Sequence, residues 1–196
     1  MFEYHGQPYK KVSYSFPDWE AQKSQGKGGE FGGGLPQATY TENGVEHRLS
    51  QFGSILRHFG IRYGYYNPRN FQQAKYIDPV IDTFADVMGS LSTILFAKPE
   101  EQAAKIETYV ELAKKYHVIM EKNLTNHGGK FAAGNSVTIA DFVMASYVGN
   151  YIFNQAFPAY SQVQAIVDAT PKFKAYTNAV QAEFTYLSTR PTPGPL

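Results

Sequence analysis

Apolar positions along this chain follow two different periods. Up to about residue 65 they sit in short pieces among glycines and tyrosines. From residue 70 to 187 they recur at helical spacing. In the first part, Tyr9-Lys10-Lys11-Val12-Ser13-Tyr14 alternates weakly and predicts a strand. Pro17-Asp18-Trp19-Glu20 predicts the start of a short helix or turn. Ala38-Thr39-Tyr40-Thr41 and Val45-Glu46-His47-Arg48-Leu49 flank Asn43-Gly44, and Asn-Gly between short strands is a strong hairpin signal. Ser50 is placed to cap the following helix, which carries Ile55 and Phe59 and has Gly60 as its expected C-cap.

The second part predicts a bundle. From Tyr76 to Phe96 one helical face carries Ile77, Val80/Ile81, Phe84, Val87/Met88, Leu91 and Leu95. Pro79 inside that pattern implies either a kink or a helix start with Asp78 as N-cap. Pro99-Glu100-Glu101 opens another helix, with Ile106, Tyr109/Val110, Ala113, Tyr116/His117, Met120 and Leu124 as its stripe and Gly128-Gly129 as its end. Val137-Thr138-Ile139-Ala140-Asp141-Phe142 carries a capping box, Thr138 with Asp141, and a staple, Val137 with Phe142. The helix after it is apolar on most sides and belongs in the middle of a bundle. Pro171 opens a final helix to about Leu187, and Pro191, Pro193 and Pro195 make residues 188–196 a non-helical tail.

Composition narrows the chemistry. There are 18 Lys+Arg against 17 Asp+Glu, a formal net charge of +1, which points to neither nucleic acid nor an anionic membrane. No cysteine is present, so disulfides and thiolate ligands are excluded. That is compatible with a reducing compartment, and a cytoplasmic location is expected. The start, Met1-Phe2-Glu3-Tyr4-His5-Gly6, has no secretory pattern, and no membrane span is expected. Gly28-Gly29 and Gly32-Gly33-Gly34 are followed by no Gly-Lys-Ser/Thr, so this stretch reads as a flexible loop. The five histidines lack metal-ligand spacing, so no metal site is expected.

Four segments in order resemble the cytosolic glutathione transferases, sigma-like in type. Asn43-Gly44 through Arg57 is similar to that family's hairpin and next helix. Leu35-Pro36 stands where the family has a cis-proline. Asp78 to Met88 resembles its fourth helix, and Gly134 to Asp141 its capping box. The resemblance implies an α/β plus all-α protein. An incomplete thioredoxin-like domain (1–65) lacks its first strand and helix, and an all-helical domain (70–187) follows. It implies glutathione as co-substrate, a small apolar electrophile, a pocket between the domains, and a homodimer. Other protein chains completing the N-terminal sheet are the alternative partners. By the same resemblance Trp19 and Lys23 hold the glycine end of glutathione. Leu35 beside Pro36 supplies a backbone contact, Gln51 meets the γ-glutamyl group, and Asp86 reaches glutathione in a partner subunit. Phe52 stands where the family has a serine that holds the γ-glutamyl carboxylate. The family's catalytic tyrosine lies in the first strand–helix segment, so no residue here is assigned a catalytic role. Two functions are expected: conjugation of the glutathione thiolate to small electrophiles, or a transferase fold kept as a structural or interaction subunit.

Overall fold

The structure is a computed structural model. It describes residues 1–27 and 34–187, apart from the side chains of Leu95 and Leu187. Of the loop expected over Gly28–Gly34, residues 28–33 lie outside the described residues, as does the proline-rich tail expected at 188–196. The chain divides into two compact units, Met1–Tyr66 and Asn67–Leu196.

In the first unit a short helix α1 (Phe2–His5) leads into an extended segment, and then α2 (Phe16–Ser24) begins. Ser15 caps α2 by accepting from the Asp18 N–H at 3.3 Å, and Pro17 sits in the first turn, where its missing N–H costs nothing. Next come β1 (Gln37–Glu42), β2 (Val45–Ser50) and α3 (Phe52–Arg62). β1 and β2 pair antiparallel, with Glu42 opposite Val45 and Gln37 opposite Ser50. Asn43 and Gly44 have φ of 52° and 76°, the left-handed values that a two-residue hairpin turn of this hand requires. One face of the hairpin packs on α3: Tyr40 lies 5.6 Å from Phe59 and 5.2 Å from His58, ring centre to ring centre. Arg62 ties the same helix to β1 by an ion pair with Glu42 at 2.8 Å.

Three local expectations for this unit are corrected. Tyr9–Tyr14 is not a strand: the sheet contains β1 and β2 alone among the described residues, so the segment has no ladder to join. Ser50 ends β2 and does not cap α3. Gln51 holds the cap position at φ 71° and makes no side-chain cap bond. Gly60 lies inside α3 as a buried residue, and its carbonyl accepts the N–H groups of Tyr65 and Tyr66, at 2.7 and 3.1 Å. The left-handed turn falls instead at Gly64, φ 79°.

The second unit contains α4 (Phe71–Leu95), α5 (Pro99–His127), α6 (Ile139–Tyr147), a π-helical turn (Val148–Ile152), α7 (Tyr160–Asp168) and α8 (Pro171–Glu183). Asn70 caps α4 by accepting from the Gln73 N–H at 3.2 Å. The helix therefore starts earlier than expected and runs through Pro79, and Asp78 is not its N-cap. Ile77, Val80, Ile81, Phe84, Val87, Leu91 and Ile94 of α4 are buried, whereas Met88 is at the surface. From α5 the buried side is Tyr109, Ala113, Tyr116, His117, Met120 and Leu124, and Gly128 at φ 66° ends the helix. Every residue of α6 but Ser146 is buried, as an all-round apolar sequence demands. α8 stops at Glu183, short of Leu187, and Phe184 turns into the core.

Candidate functional site

Among the described residues, two neighbouring cavities open in the first unit. One, of about 310 Å³, is lined by Lys10, Val12, Tyr14, Trp19, Gln22, Lys27, Leu35, Gln37, Thr39 and Arg48. The residues alternate on both sides. Lys10, Val12 and Tyr14 come from one side of the extended segment, and Gln37 and Thr39 from the face of β1 turned away from α3. Arg48 stands directly opposite Thr39 in the hairpin register and so joins the same face. Trp19 on α2 is half-buried and packs on Tyr14, ring centres 5.5 Å apart. Leu35 is exposed at the cavity edge, and the Leu35–Pro36 peptide is cis. The lining thus holds one indole, a few amide and hydroxyl groups and three cations. No acid lines it among the described residues. Such a surface suits an anionic ligand of peptide size.

The expected glutathione residues are only partly gathered there. Trp19 and Leu35 share the cavity. Lys23, one turn along α2, does not line it and pairs with Glu20 at 2.5 Å. Gln51 and Phe52 open α3 and do not line the cavity either. Asp86 is exposed on α4, in the second unit. Lys10, Lys27 and Arg48 were not among the expected site residues. The alternation of Lys10 with Val12 and Tyr14, and the pairing of Arg48 with Thr39 across the hairpin, were the signals available for two of them. Lys27 had none.

The second unit holds two buried polar clusters. Asp141 accepts from the Ala132 N–H (2.9 Å), the Thr138 N–H (2.8 Å), the Thr138 hydroxyl (2.9 Å) and the Tyr176 hydroxyl (2.9 Å). The capping box is there, extended by Ala132 and Tyr176. Burial raises the Asp141 pKa above the usual carboxylate value, and its four donors oppose that rise. Elsewhere the Tyr147 hydroxyl meets Tyr109 and His117 Nε2, each at 3.0 Å. Burial lowers the His117 pKa to about 3, so the ring is neutral at ordinary pH. Both clusters lie inside the bundle and serve its packing.

The model of the glutathione S-transferase C-terminal domain matches residues 85–183, half of the chain. The chain belongs to the glutathione S-transferase family. A probable glutathione S-transferase 6 of Caenorhabditis elegans is 23% identical over 187 residues, 93% of this chain and 82% of that protein. Human glutathione S-transferase A2 is 32% identical over 95 residues, 48% of this chain and 42% of the human one. Among solved structures, the sigma-class glutathione transferase of Fasciola hepatica superposes with a TM-score of 0.75 at 18% identity. That match covers 96% of this chain and 85% of the other. The Ascaris lumbricoides glutathione transferase gives 0.72 at 22% identity, covering 97% and 88%. The transferase fold is therefore present as an incomplete thioredoxin-like unit with a two-stranded sheet, followed by the helical C-terminal domain. No helix among the described residues is long and apolar enough to cross a membrane.

Proposed function

We propose that this transferase-family chain binds glutathione as co-substrate in the 310 Å³ cavity of its first unit, and that it serves the family reaction. In that reaction the glutathione thiol gives up its proton and the thiolate attacks an electrophilic carbon of a small apolar molecule. The carbon–sulfur bond forms as a leaving group departs with its electron pair or, at an activated double bond, as the π pair moves to the far atom and takes up a proton. The observation that carries this reading is the cavity lining, with Trp19 and Leu35 beside Lys10, Lys27 and Arg48. Glutathione has two carboxylates, and charge-assisted hydrogen bonds from these cations match them. Pro36, Lys23, Gln51, Phe52 and Asp86 stay in the proposal as further contacts by family resemblance, and a cytoplasmic location goes with it. Titration calorimetry of glutathione into the full chain tests it. The expected affinity lies between micromolar and low millimolar, roughly −4 to −8 kcal/mol. Trp19→Ala and Arg48→Ala should each weaken binding about tenfold, the loss of about 1.4 kcal/mol. No heat and no change in Trp19 emission up to about ten millimolar glutathione, corresponding to less than roughly 3 kcal/mol of binding, would sink the reading.

A second reading is that the fold acts as an interaction subunit, as a homodimer or with other chains that complete the N-terminal sheet. The sheet favours it: among the described residues β1 pairs with a strand on one side only.

A further inference from the structure

The second cavity of the first unit, about 620 Å³, has the form of a strand-sized slot. One wall is the extended segment Gln7–Val12, the other is Gln37–Thr41 of β1, and Phe2, Phe59 and Tyr63 line it as well. Every consecutive residue of each wall contributes, as happens when a cavity runs along a backbone edge and sees both faces of the pleat. The smaller cavity shares Lys10, Val12, Gln37 and Thr39 with it, so the open space continues onto the sheet face turned away from α3.

The register says which backbone groups meet this slot. A two-residue turn leaves the flanking pair, Glu42 and Val45, exchanging both hydrogen bonds, and bonded and non-bonded pairs alternate from there. Tyr40–His47 and Ala38–Leu49 are then bonded pairs, and Thr41–Glu46 and Thr39–Arg48 are not. Thr39 and Thr41 therefore turn their N–H and C=O groups away from β2, toward the side on which no strand pairs among the described residues. The two faces of the slot differ in chemistry. On the α3 side stand Phe2, Phe59 and Tyr63, with Tyr9 against Phe2 at 5.5 Å between ring centres. On the opposite side stand Lys10 and, across from Thr39, Arg48.

We propose that β1 receives, along this edge, an extended segment of another protein that alternates apolar and acidic residues. This rests on the interaction reading above and gives its partner a chemistry. The incoming backbone bonds to Thr39 and Thr41. Its apolar residues face Phe2, Phe59 and Tyr63, and its acids face Lys10 and Arg48. Strand addition of this kind takes affinity from main-chain bonds and specificity from alternate side chains.

The test titrates a short capped peptide alternating valine and glutamate into the nitrogen-15-labelled full chain. The expected result is shifted amide signals and slowed hydrogen exchange at Thr39 and Thr41. Thr39→Pro removes one outward N–H without touching the β1–β2 ladder, and should weaken binding at least tenfold. Because that variant can also disturb the hairpin, a second probe leaves the protein intact: the same peptide, N-methylated on the backbone edge it presents, should fail to bind. A valine–lysine peptide should bind at least tenfold more weakly than the glutamate one. No effect at Thr39 and Thr41, or equal binding by the N-methylated or lysine peptides, overturns the proposal. Shifts confined to other surfaces overturn the slot and leave the interaction reading standing. Glutathione added to the peptide-free chain, followed by Trp19 emission, reports the first reading separately.

Discussion

Asp141 is the side chain on which the most separate pieces of the second unit converge. It joins the Ala132 backbone, the start of α6 and Tyr176 of α8 through four accepted hydrogen bonds. Asp141→Ala strands those donors in a buried site, and a lost network of this kind costs about 3 kcal/mol or more. Urea unfolding should show it as a lower midpoint at unchanged slope. His117 makes a different prediction. Its folded pKa, about 3, lies below the ordinary 6.5, so the unfolded chain binds more protons between those values. The neutral ring's contribution is complete above pH 6.5 and is lost as the pH falls from there toward 3, at up to about 1.4 kcal/mol per pH unit. The raised pKa of Asp141 acts with the opposite sign, because protonation then favours the folded state. The His117 effect is therefore read as the difference between the parent and His117→Gln, and equal pH profiles for the two would contradict it. Of these residues, the Thr138–Asp141 box was legible in sequence because its partners are three residues apart. The bond from Tyr176 was not, because it depends on how α8 docks.

Helix α4 carries proline at its ninth position and still runs unbroken from Phe71 to Leu95. Proline in a helix interior removes one hydrogen bond and costs about 3 kcal/mol against alanine. Here seven buried apolar side chains of the same helix offset that cost. Pro79→Ala should then raise stability, by about 1–3 kcal/mol in denaturant unfolding, with helical circular dichroism unchanged or slightly stronger. Local rules left a kink or a helix start open at the proline; the helix does not start there, and tertiary burial carries it through. The same conflict runs the other way at Tyr9–Tyr14. Its alternation was legible, but a strand is a property of a pair, and among the described residues no strand pairs with it. The hairpin was readable because Asn43-Gly44 dictates both turn and register within a few residues.

At the scale of the molecule the two units differ sharply in core. Among the described residues, the buried apolar side chains of the first unit are Leu56, Phe59 and Tyr66, none of them fully enclosed, whereas α4, α5 and α6 of the second each bury several. Hydrogen exchange should therefore separate them. Amides of β1, β2 and α3 should exchange through local opening of low free energy, and those of α5 and α6 only through global unfolding. Equal protection in both units would contradict this. The division was visible in sequence as a change of period near residues 65–70. The candidate site was less legible: family resemblance named Trp19 and Leu35, but Lys10, Lys27 and Arg48 come together only once the hairpin and the extended segment are placed side by side.

Trp19 is the sole tryptophan of the chain, beside 15 tyrosines and 14 phenylalanines. It stands in the less buried unit, on a cavity wall, against Tyr14. Light absorbed at the red edge of the aromatic band, beyond tyrosine, is thus emitted from one known address. The chain carries a built-in optical reporter for its first unit alone, so folding or occupancy there can be followed without a label while the helical unit stays dark.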